Sequence, residues 1–217
     1  MRFDIITIFP QIFDSYLNES ILKRAQAKKL IDIKIHNLRD FTSNKHKKVD
    51  DKPFGGGPGM VLMAEPIIKA VKKAVKSKKT KVILFSAGGK QFDNKAARVL
   101  SKYNQLVFVC GRYEGVDERV KKAVKDLGLG VEEISIGPYV LTGGELPAMV
   151  LIDAISRQIK DVLGKQESLE EKRLGVGVPG YTRPEAFIFR KKKYPTPKVL
   201  LSGNHQKIEE WRRKNKK

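Results

Sequence analysis

SIGPYVLTGGELPAM, residues 135–149, opens as the end of an apolar strand (Ile134, Ile136), breaks at Gly137-Pro138 and breaks again at Gly143-Gly144. It then restarts as a helix, with Pro147 near the first turn, where a missing N–H costs least. Two glycine breaks around Tyr139-Val140-Leu141 describe a loop that folds back tightly and offers its backbone, because glycine permits positive φ and close approach by a ligand. An ordinary strand–loop–helix connection is the competing reading, and a Gly-rich loop alone does not choose between them.

The strands before it tip the choice. Gln105 to Cys110 is a continuous apolar run, as in a parallel sheet covered on both faces, and Lys81 to Phe85 is a second strand. Three strand ends thus lead into glycine-bearing loops: Ser86-Ala87-Gly88-Gly89, then Gly111 to Glu114, then Ile136-Gly137-Pro138. Ligands of open α/β sheets bind beyond the carboxyl ends of strands. This predicts an α/β domain with one ligand crevice, lined by Gly111, Arg112, Tyr113, Glu114 and the loop Gly137, Pro138, Tyr139, Val140, Leu141. The only G-x-G-x-x-G, Gly175 to Gly180, follows no strand and reads as linker.

Working outward, residues 1–9 read as a buried strand ended by Pro10, and Leu30 to Ile35 as an alternating one. Helical spacing marks Ile12 to Ala25, Ala64 to Val75, Lys95 to Leu100 and Leu146 to Ile159. PFGGGPGM (Pro53 to Met60) can be neither helix nor central strand. It lacks the ending of a P-loop, and Asp50 and Asp51 before it suggest contact with a base or nucleoside. The chain divides into 1–160, a linker over 161–180 and a short basic, partly helical segment over 181–217. Asn204 caps a helix over 206–214.

Lys and Arg number 44 against 24 Asp and Glu, a net charge of +20. Such an imbalance favours a polyanionic partner. Lysines on helix faces, such as Lys72 to Lys81, read as solvated surface, whereas Arg190 to Lys193 and Arg212 to Lys214 read as contacts to nucleic acid. One cysteine, Cys110, excludes an intramolecular disulfide and a cysteine-rich zinc site, and no metal ligand is assigned. No apolar run has the length of a membrane span and Asp4 interrupts any signal peptide, so no membrane is expected and a cytoplasmic location is.

VDDKPFGGGPGM, CGRYEGVDERV, SIGPYVLTGGELPAMVLIDAISR, YTRPE and VLLSGNH, in this order, resemble the bacterial tRNA (guanine-N1)-methyltransferases of the SPOUT superfamily. The resemblance is dense from Met1 to about Ile159 and returns from Tyr181 to Asn204. It implies a parallel sheet with helices on both faces and a C-terminal deep trefoil knot, an exception to unknotted topology. It also implies a homodimer, S-adenosyl-L-methionine as methyl donor, and N1 of guanine 37 in the tRNA anticodon stem-loop as acceptor. Cofactor contacts carry over onto Ser86, Gly111, Glu114, Ile136, Tyr139, Leu141, Gly143, Gly144 and Pro147.

The implied chemistry suits the residue types. Guanine N1 carries a proton at neutral pH, so a general base is required, and charge left on O6 calls for a cation. Arg157 suits the second role, and Asp50 can accept from the guanine edge. The family's aspartate in the linker is replaced by Lys172, which leaves Glu171 first and Glu170 second as the base. The chain also stops at Lys217, soon after the terminal helix begins, where the family continues into a longer helical domain that grips tRNA. Two other readings share the cofactor loops: a SPOUT protein that binds RNA with weakened catalysis, and a SPOUT methyltransferase of another RNA.

Overall fold

A computed structural model of the chain describes residues 1–164, 169 and 175–216. Two compact units divide it, Met1–Gly164 and Lys165–Lys217.

In the first unit β1 (Arg2–Thr7) leads through a 3-10 turn into α1 (Asp14–Leu17) and α2 (Ser20–Ala27), then into β2 (Asp32–Asn37). The short pair β3 (Asp50–Asp51) and β4 (Val61–Leu62) flanks the Gly-rich loop. Next come α3 (Ala64–Ala74), β5 (Thr80–Gln91), α4 (Asn94–Leu100), β6 (Gln105–Val109), α5 (Arg119–Asp126), β7 (Gly130–Ser135) and α6 (Glu145–Ser156). Five strands form one sheet in the order β2-β1-β6-β5-β7, with every pairing parallel.

Side chains alternate along each strand, so the sheet feeds two cores. Phe3, Ile5, Ile83, Leu106 and Phe108 pack against α2, α4 and α6 through Leu22, Leu100, Leu151 and Ile152. Val82, Leu84, Val107 and Val109 face the other way, against Ile67 and Val71 of α3 and Val120 and Val124 of α5. Helices therefore cover both faces, as expected of strands that are apolar throughout.

Two boundaries differ from the sequence reading. Ser86 to Gly89 is a bulge rather than a strand end, since β5 pairs with β7 again from Lys90↔Ile134. Only glycine fits at 89, because a Cβ there would stand 2.8 Å from the backbone of Glu133 and Ile134. The helix α5 is the other difference: the sequence reading assigns no element there, and its first residues, Arg119 and Val120, end the motif CGRYEGVDERV.

One charged side chain of β1 is wholly inside. Asp4 has no exposed surface, yet Arg2 donates to it at 2.7 and 2.8 Å, Gln105 at 2.6 Å, and His36 Nε2 stands 2.7 Å away. Burial alone would raise its pKa, but the hydrogen bonds from Arg2, His36 and Gln105 hold it below the usual carboxylate range. A depressed folded pKa gives stability that is present above the unfolded value and lost as pH falls through the folded one. Asp4→Asn is therefore expected to cost about 2 kcal/mol at neutral pH, since it removes the charge to which Arg2 donates and leaves Arg2 only its longer pair with Asp32 at 3.6 Å. Urea titrations at neutral and acidic pH check this: the difference between parent and variant should shrink as the solution is acidified below about pH 4. A variant as stable as the parent at neutral pH would remove Asp4 from the account.

In the second unit β8 (Ala186–Phe189) and β9 (Lys192–Pro195) form an antiparallel hairpin, followed by α7 (Lys198–Leu201) and α8 (His205–Lys214). Asn204 caps α8 as predicted, accepting from Lys207 N at 3.1 Å. Gly175 to Gly180 holds no regular element. No helix among the described residues is long and apolar enough to cross a membrane.

Candidate functional site

The bulge of β5 and the carboxyl ends of β6 and β7 open on one cleft of about 220 Å³. Each wall follows from local sequence. Ser86 comes from the β5 bulge, and Gly111 and Glu114 from the loop after β6. Ile136, Gly137, Tyr139, Val140 and Leu141 come from the loop after β7, and Gly143, Gly144 and Pro147 from the start of α6. Pro138 belongs to that loop but does not line the cleft. Arg112, Tyr113 and Thr142 also line it.

The loops are pinned to one another. Ser135 Oγ donates to Gly137 O at 2.9 Å, closing the turn at the end of β7. Gly144 N donates to Gly111 O at 2.9 Å, and Arg112 and Gly143 form an antiparallel bridge. A Cβ on Gly144 would stand 2.7 Å from Cys110 Cα and 3.0 Å from Gly111 N, so residues 143–144 slot directly against the exit of β6. Tyr139 folds its ring back over Gly137 and donates its hydroxyl to Ile136 O at 3.2 Å. Tyr113 is held at φ 58, a conformation costing a non-glycine residue about 1–2 kcal/mol. Flanking hydrogen bonds impose it, Glu114 N to Met60 O and Gly115 N to Arg112 O, both 3.0 Å.

Beneath the glycines lies a buried charged group that the sequence reading missed. Glu145 opens α6, where the helix dipole favours an acid, and accepts from Thr7 Oγ1 at 2.7 Å. Arg112 Nε stands 2.9 Å from Glu145 Oε2 but out of line for a hydrogen bond, so charge holds the pair. The Arg112 guanidinium also lies over the Phe9 ring, 4.8 Å from its centroid. The one signal in the sequence was Thr7, polar in the run Ile5-Ile6-Thr7-Ile8-Phe9. Cys110 next to them is free and buried, its thiol pushed well above the usual range by burial and by the Glu145 charge.

The Gly-rich loop is brought to the cleft by main-chain zipping. Leu62 pairs with Asp50 on one side and bridges Val116 on the other. A Cβ on Gly59 would strike Glu114 Oε1 at 2.5 Å, so this carboxylate packs on the loop and walls off a neighbouring hollow of about 1050 Å³. Asp51, Phe54 and Glu114 line that hollow, and Asp50 lines neither.

Arg157 is not in the cleft. It caps the far end of the twelve-residue helix α6, about 20 Å along the axis from Gly144 at 1.5 Å per residue. There it borders an apolar hollow with Tyr16, Leu146, Met149, Val150 and Asp153. Tyr16 donates its hydroxyl to Asp153, and this bond, with burial adding to it, pushes the Tyr16 pKa up to about 12. Glu170 and Glu171, with Lys172, lie outside the described residues. Among the described residues no group of three or more His, Cys, Asp and Glu could hold a metal ion.

Comparison with known proteins bears on the same residues. The family model described as tRNA (Guanine-1)-methyltransferase TrmD matches residues 1–217. A tRNA (guanine-N(1)-)-methyltransferase of Dictyoglomus turgidum is 52% identical over 217 residues, covering 99% of this chain and 84% of the relative. That of Carboxydothermus hydrogenoformans is 49% identical, covering 99% and 82%. The Staphylococcus haemolyticus protein of the same name is 48% identical over 219 residues, covering 100% and 86%.

Proposed function

Because the chain belongs to the tRNA (guanine-1)-methyltransferase family, with methylation of guanine N1 in tRNA as its activity, we propose that S-adenosyl-L-methionine is the donor and guanine 37, in the anticodon stem-loop, the acceptor. Such a substrate goes with a cytoplasmic location. The observation that carries the reading is the cleft between the β5 bulge and the glycine-bearing loops after β6 and β7, with residues 143–144 slotted against the exit of β6.

The residues present fit this donor. Gly111, Gly137 and Gly144 line the cleft without side chains, Val140 and Leu141 supply apolar surface, and Glu114 offers a carboxylate to an amine or a ribose hydroxyl. When bound, the donor supplies an electrophilic methyl on its sulfonium. The protein aligns that methyl with N1, removes the N1 proton with Glu171 or Glu170, and steadies O6 with the Arg157 guanidinium. Asp50 accepts from the guanine edge.

We further propose a homodimer with a shared site and a chain tied in a deep trefoil knot where the loop after β7 meets the bulge of β5 and the exit of β6. The placement of Arg157 supports the dimer, because a cation at the far end of α6 serves a cleft only if that cleft belongs to a second copy. So does the outer face of α6, where Leu146 is 57% and Val150 44% exposed beside Tyr16. Light scattering should therefore give twice the chain mass of 24.5 kDa. Val150→Glu, which adds a second carboxylate one turn from Asp153, should give a monomer that binds S-adenosylmethionine and does not methylate. A monomer that methylates at the parent rate would contradict the shared site.

Transfer of a labelled methyl from S-adenosylmethionine tests the acceptor. A tRNA transcript with guanine at 37 should take up label and one with adenine there should not. Equal labelling of both would move the acceptor elsewhere.

A further inference from the structure

The hairpin of the second unit leaves most of its side chains exposed. Every residue of β9 is exposed, and so are Phe187, Ile188 and Phe189 of β8, at 56%, 76% and 56%. An isolated two-stranded hairpin is marginal in water, and this much uncovered aromatic surface marks an interaction site.

Register and turn give the surface its chemistry. Phe187 pairs with Tyr194 and Phe189 with Lys192, so these four side chains share one face. The Phe187 and Tyr194 rings are stacked, centroids 5.1 Å apart and planes 11° from parallel. At the tip Arg190 and Lys191 have φ of 47° and 61°, a two-residue turn of the type that Asn-Gly serves best. Cations thus stand where folding alone would favour small turn residues. The Arg190 guanidinium lies 5.3 Å from the centroid of Phe189, and Lys192 Nζ 5.5 Å from that of Tyr194. Arg190 to Lys193 are four consecutive cations, and residues 186–195 contain no acid.

We infer that the 186–195 hairpin is a docking element for unpaired nucleotides of the substrate RNA, with Phe187, Phe189 and Tyr194 taking bases by stacking and Arg190 to Lys193 taking the phosphates. The inference rests on the reading of tRNA as substrate and adds where its single-stranded parts are gripped. Cations alone would suit a duplex backbone or an acidic protein. Flat exposed rings flanking a run of cations suit a single strand, because every base has a face to stack and every step a phosphate.

The full-length chain tests this with two probes, an oligouridine strand and an RNA duplex of equal length, alongside a tRNA transcript. Phe187→Leu/Tyr194→Leu keeps apolar bulk across the pair and removes the rings. Lys191→Ser/Lys192→Ser/Lys193→Ser keeps Phe187 and Phe189 and removes the phosphate contacts. The ring variant should lose roughly ten-fold in oligouridine affinity with an unchanged salt slope. The lysine variant should lose about 2 from the slope of log affinity against log salt. For both, KM for tRNA should rise while the single-turnover rate at saturating tRNA and the calorimetric affinity for S-adenosylmethionine stay at the parent's values, which also shows the first unit folded. Unchanged oligouridine affinity and KM in the ring variant would overturn the inference, as would equal losses on strand and duplex. A changed state of association with unchanged RNA binding would also overturn it and make the hairpin a protein contact. A parent that methylates no tRNA would sink the functional reading instead, leaving the oligouridine arm to judge the hairpin.

Discussion

Gly144→Ala should abolish the calorimetric signal of S-adenosylmethionine binding. Its added Cβ has no room, with Cys110 Cα at 2.7 Å, Gly111 N at 3.0 Å and Phe85 Cδ2 at 3.1 Å. The obstruction is mostly backbone, so relief requires the loop after β7 to lift away from the exit of β6. That breaks the Gly144 N to Gly111 O bond on which both walls of the cleft depend. A displacement of about 1 Å in a positioned site costs about 100-fold, enough to lose the signal at ordinary concentrations. Gly143 is the internal control. An added Cβ there meets the side chains of Arg112 and Glu145, not the backbone, so Gly143→Ala should weaken binding less. If Gly144→Ala binds as the parent does, the cleft is not the cofactor site.

The second large effect lies in the linker. A Glu170→Gln/Glu171→Gln double variant should slow single-turnover methylation roughly 100–10,000-fold, the loss expected for a general base, with cofactor affinity intact. Glu171→Gln alone should account for most of it. Lys172→Asp should match or exceed the parent, because it adds a carboxylate where a protonated lysine is a poor base. A double variant that methylates at the parent rate would show that the N1 proton leaves by another group.

Much of the site is legible from local signals. The glycine pairs and Pro147 mark the loop and helix start of residues 135–149, and apolar runs mark the strands that deliver the other two walls. What is not legible is long-range. Thr7 and Glu145 are 138 residues apart, and nothing near either one indicates the other. The same holds for the bridge between Arg112 and Gly143, and for the strand order that puts β6 between β1 and β5. Arg157 shows the limit from the other side. Its residue type and helix end are readable, but its distance from the cleft follows from the direction of α6, which only the fold fixes. The hairpin escapes notice because Arg190-Lys191 carries none of the Asn or Gly that announces a two-residue turn, and its basic run reads as a tail. The Ser86 to Gly89 bulge is hidden likewise, since glycines that break a strand and glycines that let two backbones approach look the same in sequence.

Mass-spectrometric mapping of the nucleosides of a tRNA transcript, after incubation with the protein and S-adenosylmethionine, tests the central claim most directly. The account predicts a single methyl on N1 of guanine 37, absent when that nucleotide is adenine. A transcript without methylated nucleoside, or a methyl on another atom or another nucleotide, would contradict it.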